Sequence, residues 1–310
     1  MKISVVSPVY RAEEMVDLLV SRISEEVSKL TNNYEIILVE DGGPDQSWRK
    51  IVENCQRDKR VKGVKLSRNF GQHYAVTAGI SKATGDYLVL MDCDLQDDPA
   101  HIAKLFQETQ KGYEVVFTRR VGRRHSVAKK LCSWLYNRLF GIFSDSRYAI
   151  DNGSLVMFSN RVARAFLKLR DKDRLYIPLL KWVGFSSVTV EVEHHARHSG
   201  ESSYGFLKLL KMGMYGWVAH SDKLLRISAY TGFILAGLSI LVGLNILARY
   251  FFFNFQPGWP SVIVAILFST GLILMSVGVA GVYIGRIFEQ TKDRPLYIID
   301  HEVNLDSGNI

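Results

Sequence analysis

Short apolar runs alternate with amphipathic stretches along the first third of this chain. The apolar runs are rich in β-branched residues and cover Ile3–Val9, Glu35–Val39, Val61–Leu66, Tyr87–Met91 and Glu114–Phe117. Between them, apolar residues recur at helical spacing over about 12–30, 45–57, 71–83 and 99–111. Near-continuous apolar strands that alternate with helices are typical of a parallel sheet covered on both faces. The pattern predicts an α/β, doubly wound domain with a mostly parallel sheet.

Two stretches near the C-terminus contain no charged residue. They are Ile227–Ala248, of 22 residues, and Ser261–Gly285, of 25 residues. A transmembrane helix needs about 20 apolar residues to cross the hydrocarbon core of a bilayer. We therefore expect a hairpin of two transmembrane helices over 227–285, in preference to two buried helices of a soluble protein.

Basic residues flank this hairpin on its outer ends. Lys223 and Arg226 precede the first span, Arg286 and Lys292 follow the second, and the connector 254–260 contains no Lys or Arg. By the positive-inside rule, both ends of the hairpin face the cytoplasm. The N-terminus lacks the pattern of a signal peptide, because the first apolar run is short and leads directly into charged residues. We expect a cytosolic domain over 1–226 and a cytosolic C-terminal tail over 286–310.

The net charge of +8, from 39 basic and 31 acidic residues, is distributed unevenly. Residues 1–118 carry −3, residues 119–226 carry +12 and residues 227–310 carry −1. Such asymmetry indicates an anionic partner, which could be nucleic acid, phosphate or a membrane surface. Basic amphipathic helices over about 125–143 and 203–222, next to two spans, favour membrane lipids, and we expect no nucleic acid partner.

Carboxylates follow two of the predicted strands. Asp41 comes after the second strand, and Asp92 and Asp94 come after the fourth. Ligands of doubly wound sheets bind beyond the carboxyl ends of the strands, and paired carboxylates suit a hard cation such as Mg²⁺ or Mn²⁺. The alternative for the pair is an acidic turn that caps the helix beginning near Pro99. Asp41 is placed to accept hydrogen bonds from a base or ribose.

Other chemistry is disfavoured. The chain contains neither a GxGxxG nor a Walker A motif, which argues against dinucleotide oxidoreductases and P-loop enzymes. His194, His195 and His198 could suggest zinc, but adjacent residues of a strand point to opposite faces.

Five motifs in order along the chain resemble those of family 2 glycosyltransferases of GT-A fold, specifically the polyprenyl-phosphate glycosyltransferases. This group includes dolichyl-phosphate mannose synthases and bacterial undecaprenyl-phosphate sugar transferases. The similar stretches are Ser7–Tyr10, Val39–Trp48, Ser67–Gln72 with Thr77–Gly79, Met91–Gln96 and Arg197–Tyr204. The chain departs from the usual pattern at Glu40 and at Ser203, where many relatives carry Asp and Lys. The resemblance implies a Rossmann-like GT-A domain, two interfacial helices and a C-terminal pair of transmembrane helices.

The resemblance also implies roles for individual residues. The metal would be held by Asp92 and Asp94, with Asp94 and Asp151 as the catalytic carboxylates. The nucleotide-sugar donor would contact Pro8, Tyr10, Asp41, Asp92, Asp94 and Gln96. The acceptor phosphate would contact Arg119, Lys130, Ser133, Arg197, Ser202 and Tyr204.

The reaction implied is inverting transfer of a sugar from a nucleotide sugar to a polyprenyl phosphate, with Mg²⁺ or Mn²⁺ as cofactor. A UDP-sugar is favoured over a GDP-sugar, and undecaprenyl phosphate is the expected acceptor at the cytoplasmic face of a bacterial inner membrane. Gly281 and Gly285 form a GxxxG helix contact motif, and we expect a homo-oligomer, of which a tetramer is one form. The alternatives are a processive polysaccharide synthase, which would need more spans, and a non-catalytic scaffold, which would lack the Asp pair.

Overall fold

The computed structural model of the protein describes residues 1–121, 152–193, 223–252 and 258–305. Residues 1–121, 152–193 and 294–305 belong to one compact unit, and residues 223–252 and 258–293 belong to a second. The predicted interfacial helices over 125–143 and 203–222 lie outside the described residues.

The first unit is an eight-stranded mixed sheet with helices on both faces. Its elements in chain order are β1 (Ile3–Val9), α1 (Val16–Ser28), β2 (Tyr34–Glu40), α2 (Ser47–Arg57), β3 (Val61–Leu66), α3 (Gln72–Lys82), β4 (Tyr87–Leu90), α4 (His101–Gln110), β5 (Val115–Val121), β6 (Asn152–Ser159), α5 (Asn160–Lys168), α6 (Tyr176–Trp182), β7 (Ser187–Glu193) and β8 (Ile299–Val303). The predicted α/β class and the first five strands are confirmed.

The strands are arranged in the order β7-β5-β6-β4-β1-β2-β3-β8. Strands β1 to β4 form a parallel group, in which β1 pairs with β2 and β4, and β2 pairs with β3. Strand β5 is parallel to β7. Strand β6 runs antiparallel to β4 and β5, and β8 runs antiparallel to β3. The carboxyl ends of β1, β2 and β4 therefore meet at one edge of the sheet.

Two hydrophobic cores lie on the two faces of this sheet. Alternation along β1 sends Val5 to the core under α1, α2 and α4, whereas Val6 faces the core under α3, α5 and α6. Along β2, Leu38 and Val39 divide in the same way. Because both faces are covered, the strands need apolar residues at consecutive positions, which explains the continuous apolar runs of the sequence.

A buried carboxylate, Glu35, joins the amino-terminal ends of these strands. It accepts hydrogen bonds from Ser4 Oγ at 2.6 Å, Lys62 Nζ at 2.7 Å and the Thr84 N–H at 2.7 Å, and Lys2 Nζ lies 2.7 Å away. Burial raises the pKa of Glu35, but these donors outweigh it and lower the pKa to about 2. Glu35 is therefore ionised in the folded protein, as a buried charge can be when it is fully hydrogen-bonded.

The C-terminal strand β8 completes the sheet at the β3 edge, and the sequence analysis, which treats 286–310 only as a tail, missed it. Beyond the strand pairing, Ser67 N–H donates to the Ile298 carbonyl at 2.9 Å and Lys82 forms an ion pair with Glu302 at 2.6 Å. Asn304 Nδ2 donates to the Cys55 carbonyl at 2.6 Å. A polar edge strand carries little of the apolar pattern from which strands are predicted.

The second unit contains two long helices, α7 (Lys223–Phe252) and α8 (Trp259–Thr291), which contact each other. Within them, Leu225–Asn245 and Phe268–Thr291 are long and apolar enough to cross a membrane, with mean hydropathies of 1.9 and 1.8. Large apolar side chains on both helices are exposed, for example Phe233 at 77% and Leu274 at 66%. Contiguous exposed apolar surface is typical of a membrane-embedded helix and not of a soluble core helix. The two predicted spans correspond to these helices.

Candidate functional site

A cleft of about 350 Å³ lies at the edge of the sheet where β1, β2 and β4 end. Its described lining consists of residues at or just beyond the ends of these strands and of residues between β3 and the start of α3: Pro8, Val9, Tyr10, Asp41, Asn69, Gly71, Gln72, Asp92, Cys93 and Asp94. The parallel arrangement brings these segments together, because all of the strands end on the same side. Five residues predicted for the donor, Pro8, Tyr10, Asp41, Asp92 and Asp94, thus line one cleft.

A second hollow, of about 440 Å³, lies beside α2 and is lined by charged side chains of that helix and of the loop before α1. Arg49 and Lys50 both form ion pairs with Glu53, at 3.1 and 3.7 Å. This hollow contains no strand end and none of the predicted site residues, so the cleft is the candidate site.

Asp92 and Asp94 follow β4 in a tight turn in which Leu95 has a positive φ of 54°. Asp92 Oδ1 accepts a hydrogen bond from Gln72 Nε2 at 2.6 Å, and Asp94 Oδ1 accepts one from the Gln96 N–H at 3.1 Å. Burial, and then the two adjacent carboxylates, raise the pKa of the intervening Cys93 thiol to about 12. The Cys93 thiol is therefore protonated at neutral pH, and the carboxylates of Asp92 and Asp94 are the candidate metal ligands of this turn.

The carboxylates of this turn fit a divalent cation whose remaining ligands are supplied by a substrate. Among the described residues, no group of three or more His, Cys, Asp or Glu side chains is arranged to hold a metal alone. Mg²⁺ in phosphate-transferring and related sites is bound by one or two carboxylates, and substrate phosphates and water complete the octahedron. The pair Asp92 and Asp94 is such a set.

Asp41 is 2% exposed and holds the loop after β3 in place. Its Oδ1 accepts a hydrogen bond from the Phe70 N–H at 2.8 Å and its Oδ2 accepts one from the Gly71 N–H at 2.9 Å. Burial raises the pKa of Asp41, and the two N–H donors and the charge of Arg68 offset this only in part. The sequence analysis predicts that Asp41 contacts the nucleotide, and the structure adds a role in anchoring the loop.

The neighbouring glycine, Gly42, is required by the same packing. Its φ is +60°, and a Cβ atom at this position would lie 2.3 Å from the Arg68 carbonyl carbon and 2.3 Å from the Asn69 nitrogen. The loop after β2 and the loop 67–72 after β3 therefore touch backbone to backbone and form one wall of the cleft.

Glu40, where relatives commonly carry Asp, is buried at 1% exposure behind this wall. Its Oε1 accepts a hydrogen bond from the Gly43 N–H, and its Oε2 has no hydrogen-bond partner among the residues that the structure describes. Burial raises the pKa of Glu40, and the Gly43 and Gly42 N–H groups offset this in part.

The remaining predicted residues are distributed differently. Gln96 is not among the described residues that line the cleft, although its backbone supports Asp94. Arg119 is exposed on β5, opposite Asn152 of β6 and Glu191 of β7. Six predicted residues lie outside the described part of the chain: Lys130, Ser133, Asp151, Arg197, Ser202 and Tyr204, as do the histidines 194, 195 and 198.

Sequence reasoning missed several residues at the site. Asn69, Gly71 and Gln72 line the cleft, and the only signal for them is their place in the motif Ser67–Gln72. Outside the described lining of the cleft, Lys181 of α6 was not predicted either: burial and then the positive charge of Arg119 lower its pKa, and its Nζ lies 5.1 Å from the centre of the Phe117 ring. The positive charge of Arg119 on β5 therefore acts on Lys181 of α6.

The sequence profile described as "Glycosyl transferase family 2" matches residues 4–167, which include the cleft. The chain belongs to glycosyl transferase family 2. The predicted family, its GT-A fold and the enzyme class are confirmed: this is a family 2 glycosyltransferase.

Relatives of this glycosyltransferase match it over nearly its full length. The uncharacterized glycosyltransferase YkcC of Bacillus subtilis (strain 168) is 34% identical over 309 residues, covering 99% of this chain and 96% of that protein. The undecaprenyl-phosphate 4-deoxy-4-formamido-L-arabinose transferase of Photorhabdus laumondii subsp. laumondii is 30% identical over 314 residues, covering 99% of this chain and 96% of that protein.

Among solved structures, this glycosyltransferase is similar to glucosyl-3-phosphoglycerate synthase from Mycobacterium tuberculosis in complex with Mn²⁺, UDP-glucose and phosphoglyceric acid. The identity is 16%, the TM-score is 0.47, and the match covers 69% of this chain and 76% of the synthase.

Proposed function

We propose that this glycosyltransferase transfers a single sugar from a nucleotide sugar to a polyprenyl phosphate at the cytoplasmic face of a bacterial inner membrane. Undecaprenyl phosphate is the proposed acceptor and a UDP-sugar the proposed donor. The product is a polyprenyl-phosphate sugar with a phosphodiester linkage, available for modification of cell-envelope glycans.

One observation carries this proposal. The relative whose name specifies undecaprenyl phosphate aligns with 99% of this chain, so its similarity includes both candidate membrane spans as well as the sheet domain. An enzyme whose acceptor is a membrane lipid needs a membrane-associated acceptor site, and the two exposed apolar helices support such a location.

The cleft supports the donor half of the reaction. Pro8, Tyr10 and Asp41 are proposed to contact the nucleoside, while Asp92 and Asp94 would hold Mg²⁺ or Mn²⁺ against the donor diphosphate. A bound divalent cation would neutralise negative charge on the leaving diphosphate. Asp41 accepts hydrogen bonds from the loop 67–72, and a loop held in place before binding would lower the entropic cost of recognition.

The acceptor half requires cations for the lipid phosphate. Arg119, together with Lys130, Ser133, Arg197, Ser202 and Tyr204, is proposed to bind that phosphate. Lys181, whose pKa is lowered by burial and by the positive charge of Arg119, is proposed to contribute. In the transfer, a phosphate oxygen forms a bond to the anomeric carbon as the bond to the diphosphate oxygen breaks, with inversion. The nucleoside diphosphate leaves with the electron pair of that bond.

The acceptor is already largely ionised near neutral pH, since the second pKa of a phosphate monoester is about 6. The attacking oxygen therefore needs little deprotonation. We propose that Asp151 orients the acceptor and that Asp94 acts through the cation, so that neither needs to serve as an obligatory base.

Strand β8 supports a hairpin topology with both ends on the same side of the membrane, and the positive-inside rule makes that side the cytoplasm. Residues before α7 and residues after α8 belong to the same sheet. Two segments of one folded sheet lie on one side of a membrane, and the chain between them must therefore cross it an even number of times. An even number of crossings agrees with the positive-inside rule, which assigns both ends of the hairpin to the cytoplasm. We also propose a homo-oligomer, on the basis of Gly281 and Gly285.

The test is an assay of the full-length protein with undecaprenyl phosphate and a panel of nucleotide sugars, with lipid products identified by mass. A product with one sugar in phosphodiester linkage is expected, and the Asp94→Ala variant should make none. A diphosphate-linked product would contradict the reaction type, and a polymer would favour the processive synthase. Near-normal activity in the presence of a chelator would contradict the role of the cation.

A further inference from the structure

A continuous series of contacts runs across the mouth of the cleft from Asp41 to Asp92. Asp41 accepts hydrogen bonds from the backbone N–H groups of Phe70 and Gly71, at 2.8 and 2.9 Å. The next residue, Gln72, donates from its side-chain amide to Asp92 Oδ1 at 2.6 Å. The carboxylate at the end of β2 is thus connected to the carboxylate at the end of β4 through three consecutive residues of one loop.

Gln72 is well suited to fix the orientation of Asp92. It is the first residue of α3, so its backbone is held by the helix, while Gly71, at a φ of +109°, sets the direction in which the chain enters that helix. A carboxylate with one oxygen held by a donor loses freedom of rotation about its Cβ–Cγ bond. Groups that hydrogen-bond a metal-binding carboxylate in this way raise the affinity for the metal by limiting the disorder that binding must remove.

We propose that Gln72 is a positioning residue that holds Asp92 in the orientation that binds the divalent cation, and that Asp41 supports Gln72 through the loop 67–72. Gln72 then acts without touching the reacting atoms. This inference rests on the proposed function in one respect, namely that Asp92 and Asp94 bind a divalent cation.

The test measures cation binding directly, with Mn²⁺ as the probe and no nucleotide present. Binding of Mn²⁺ to the full-length protein in detergent is followed by the electron paramagnetic resonance signal of the free aquo ion. Gln72→Met keeps the length and helix propensity of the side chain but removes the donor. We expect it to weaken Mn²⁺ binding by about tenfold, in line with other residues that orient metal ligands.

A matched control is Gln107→Met, which makes the same substitution at an exposed position of α4, outside the cleft. It should bind Mn²⁺ like the wild type. Equal affinities of the Gln72→Met and Gln107→Met variants would overturn the inference. Thermal denaturation of each variant accompanies the titration, because a change of Mn²⁺ affinity at unchanged melting temperature excludes a loss of folded protein as its cause.

The support by Asp41 is tested by a double-mutant cycle. The Asp41→Asn variant retains only one side-chain oxygen to accept the hydrogen bonds of the Phe70 and Gly71 N–H groups. It should therefore weaken Mn²⁺ binding, although Asp41 is outside the proposed ligand set. If it acts through Gln72, the double variant should bind Mn²⁺ about as weakly as Gln72→Met alone. Additive losses would overturn this step. If the wild type binds Mn²⁺ neither alone nor in the presence of UDP, the proposed function itself fails, which separates the two failures. If it binds Mn²⁺ only with UDP, all variants are compared at saturating UDP, because substrate phosphates then supply the remaining ligands.

Discussion

Replacement of Gly42 by alanine tests whether the wall of the cleft is built as the structure indicates. The new Cβ atom would lie 2.3 Å from two backbone atoms of Arg68 and Asn69. Carbon atoms in favourable contact are separated by about 3.5–4.0 Å, so the two loops would have to move apart by more than about 1 Å. These are backbone atoms, which cannot rotate away as a flexible side chain would.

The cost of that movement follows from the contacts that it disrupts. A positive φ costs an alanine about 1 kcal/mol relative to glycine. Displacement of the loop 67–72 also breaks the hydrogen bonds from Phe70 and Gly71 to Asp41, and a hydrogen bond to a charged group contributes about 1.5–3 kcal/mol. With partial relaxation, we expect Gly42→Ala to lower the free energy of unfolding by about 3 kcal/mol.

Gly112 provides a matched control, since its φ is +96° but a Cβ atom there would meet no atom within 4 Å. Gly112→Ala should therefore lower the free energy of unfolding only by the cost of a positive φ for alanine, about 1 kcal/mol. In a domain of this size, 1 kcal/mol shifts the melting temperature by roughly 2–4 °C. The assay combines thermal denaturation with calorimetric titration of UDP, for which we expect at least about a tenfold loss of affinity in Gly42→Ala and no change in Gly112→Ala. Equal melting temperatures and equal UDP affinities in the two variants would refute the reasoning.

Three further predictions concern buried or clustered charges. The pKa of Glu35 is about 2 in the folded protein, against a reference value of 4.5. Its ionised form therefore stabilises the fold by about 3 kcal/mol above pH 4.5, and this contribution is lost as the pH falls towards 2. The acid denaturation of Glu35→Gln should lack this pH dependence, and a denaturation profile equal to that of the wild type would contradict the prediction. Burial raises the pKa of Glu40, so its ionisation opposes folding as the pH rises above 4.5. Glu40→Gln should therefore gain stability relative to the wild type over that range. A difference in free energy of unfolding between the two proteins, measured with urea, that does not change with pH would contradict this. Lys181→Met should raise KM for the lipid phosphate more than KM for the nucleotide sugar, whereas equal changes would remove Lys181 from the acceptor site.

The fold was predictable where burial dictates the residue types. The runs Ile3–Val9 and Val61–Leu66 coincide with β1 and β3, because strands covered on both faces must be apolar at successive positions. The same rule located Asp41, Asp92 and Asp94 beyond the ends of such strands. Strand β8 has one face towards solvent and the sequence Ile-Asp-His-Glu-Val, so it carries too few apolar residues to be recognised.

The details of the site depend on contacts between distant residues, which the sequence does not encode locally. Two such contacts depend on the register of β2, β3 and β4 in the folded sheet. One is the binding of both Asp41 oxygens to the backbone of the loop 67–72, and the other is the hydrogen bond from Gln72 to Asp92. Lys181 is similar, since it lies 62 positions after Arg119 in the chain and is brought near it only by the packing of α6. Positions of this kind can be found only after the sheet has been assembled.

Strand β8 also has a consequence for the order in which this enzyme is made. Residues 299–303 leave the ribosome after both apolar helices, yet they pair with β3, whose own residues are synthesised more than two hundred positions earlier. Until then, β3 presents an open edge of the kind that promotes aggregation, and Ser67 lacks its partner at Ile298. The sheet and the adjoining loop 67–72 are therefore completed only after both apolar helices have been synthesised. A chain that stops within the apolar helices therefore lacks the strand pairing that closes the β3 edge of the sheet.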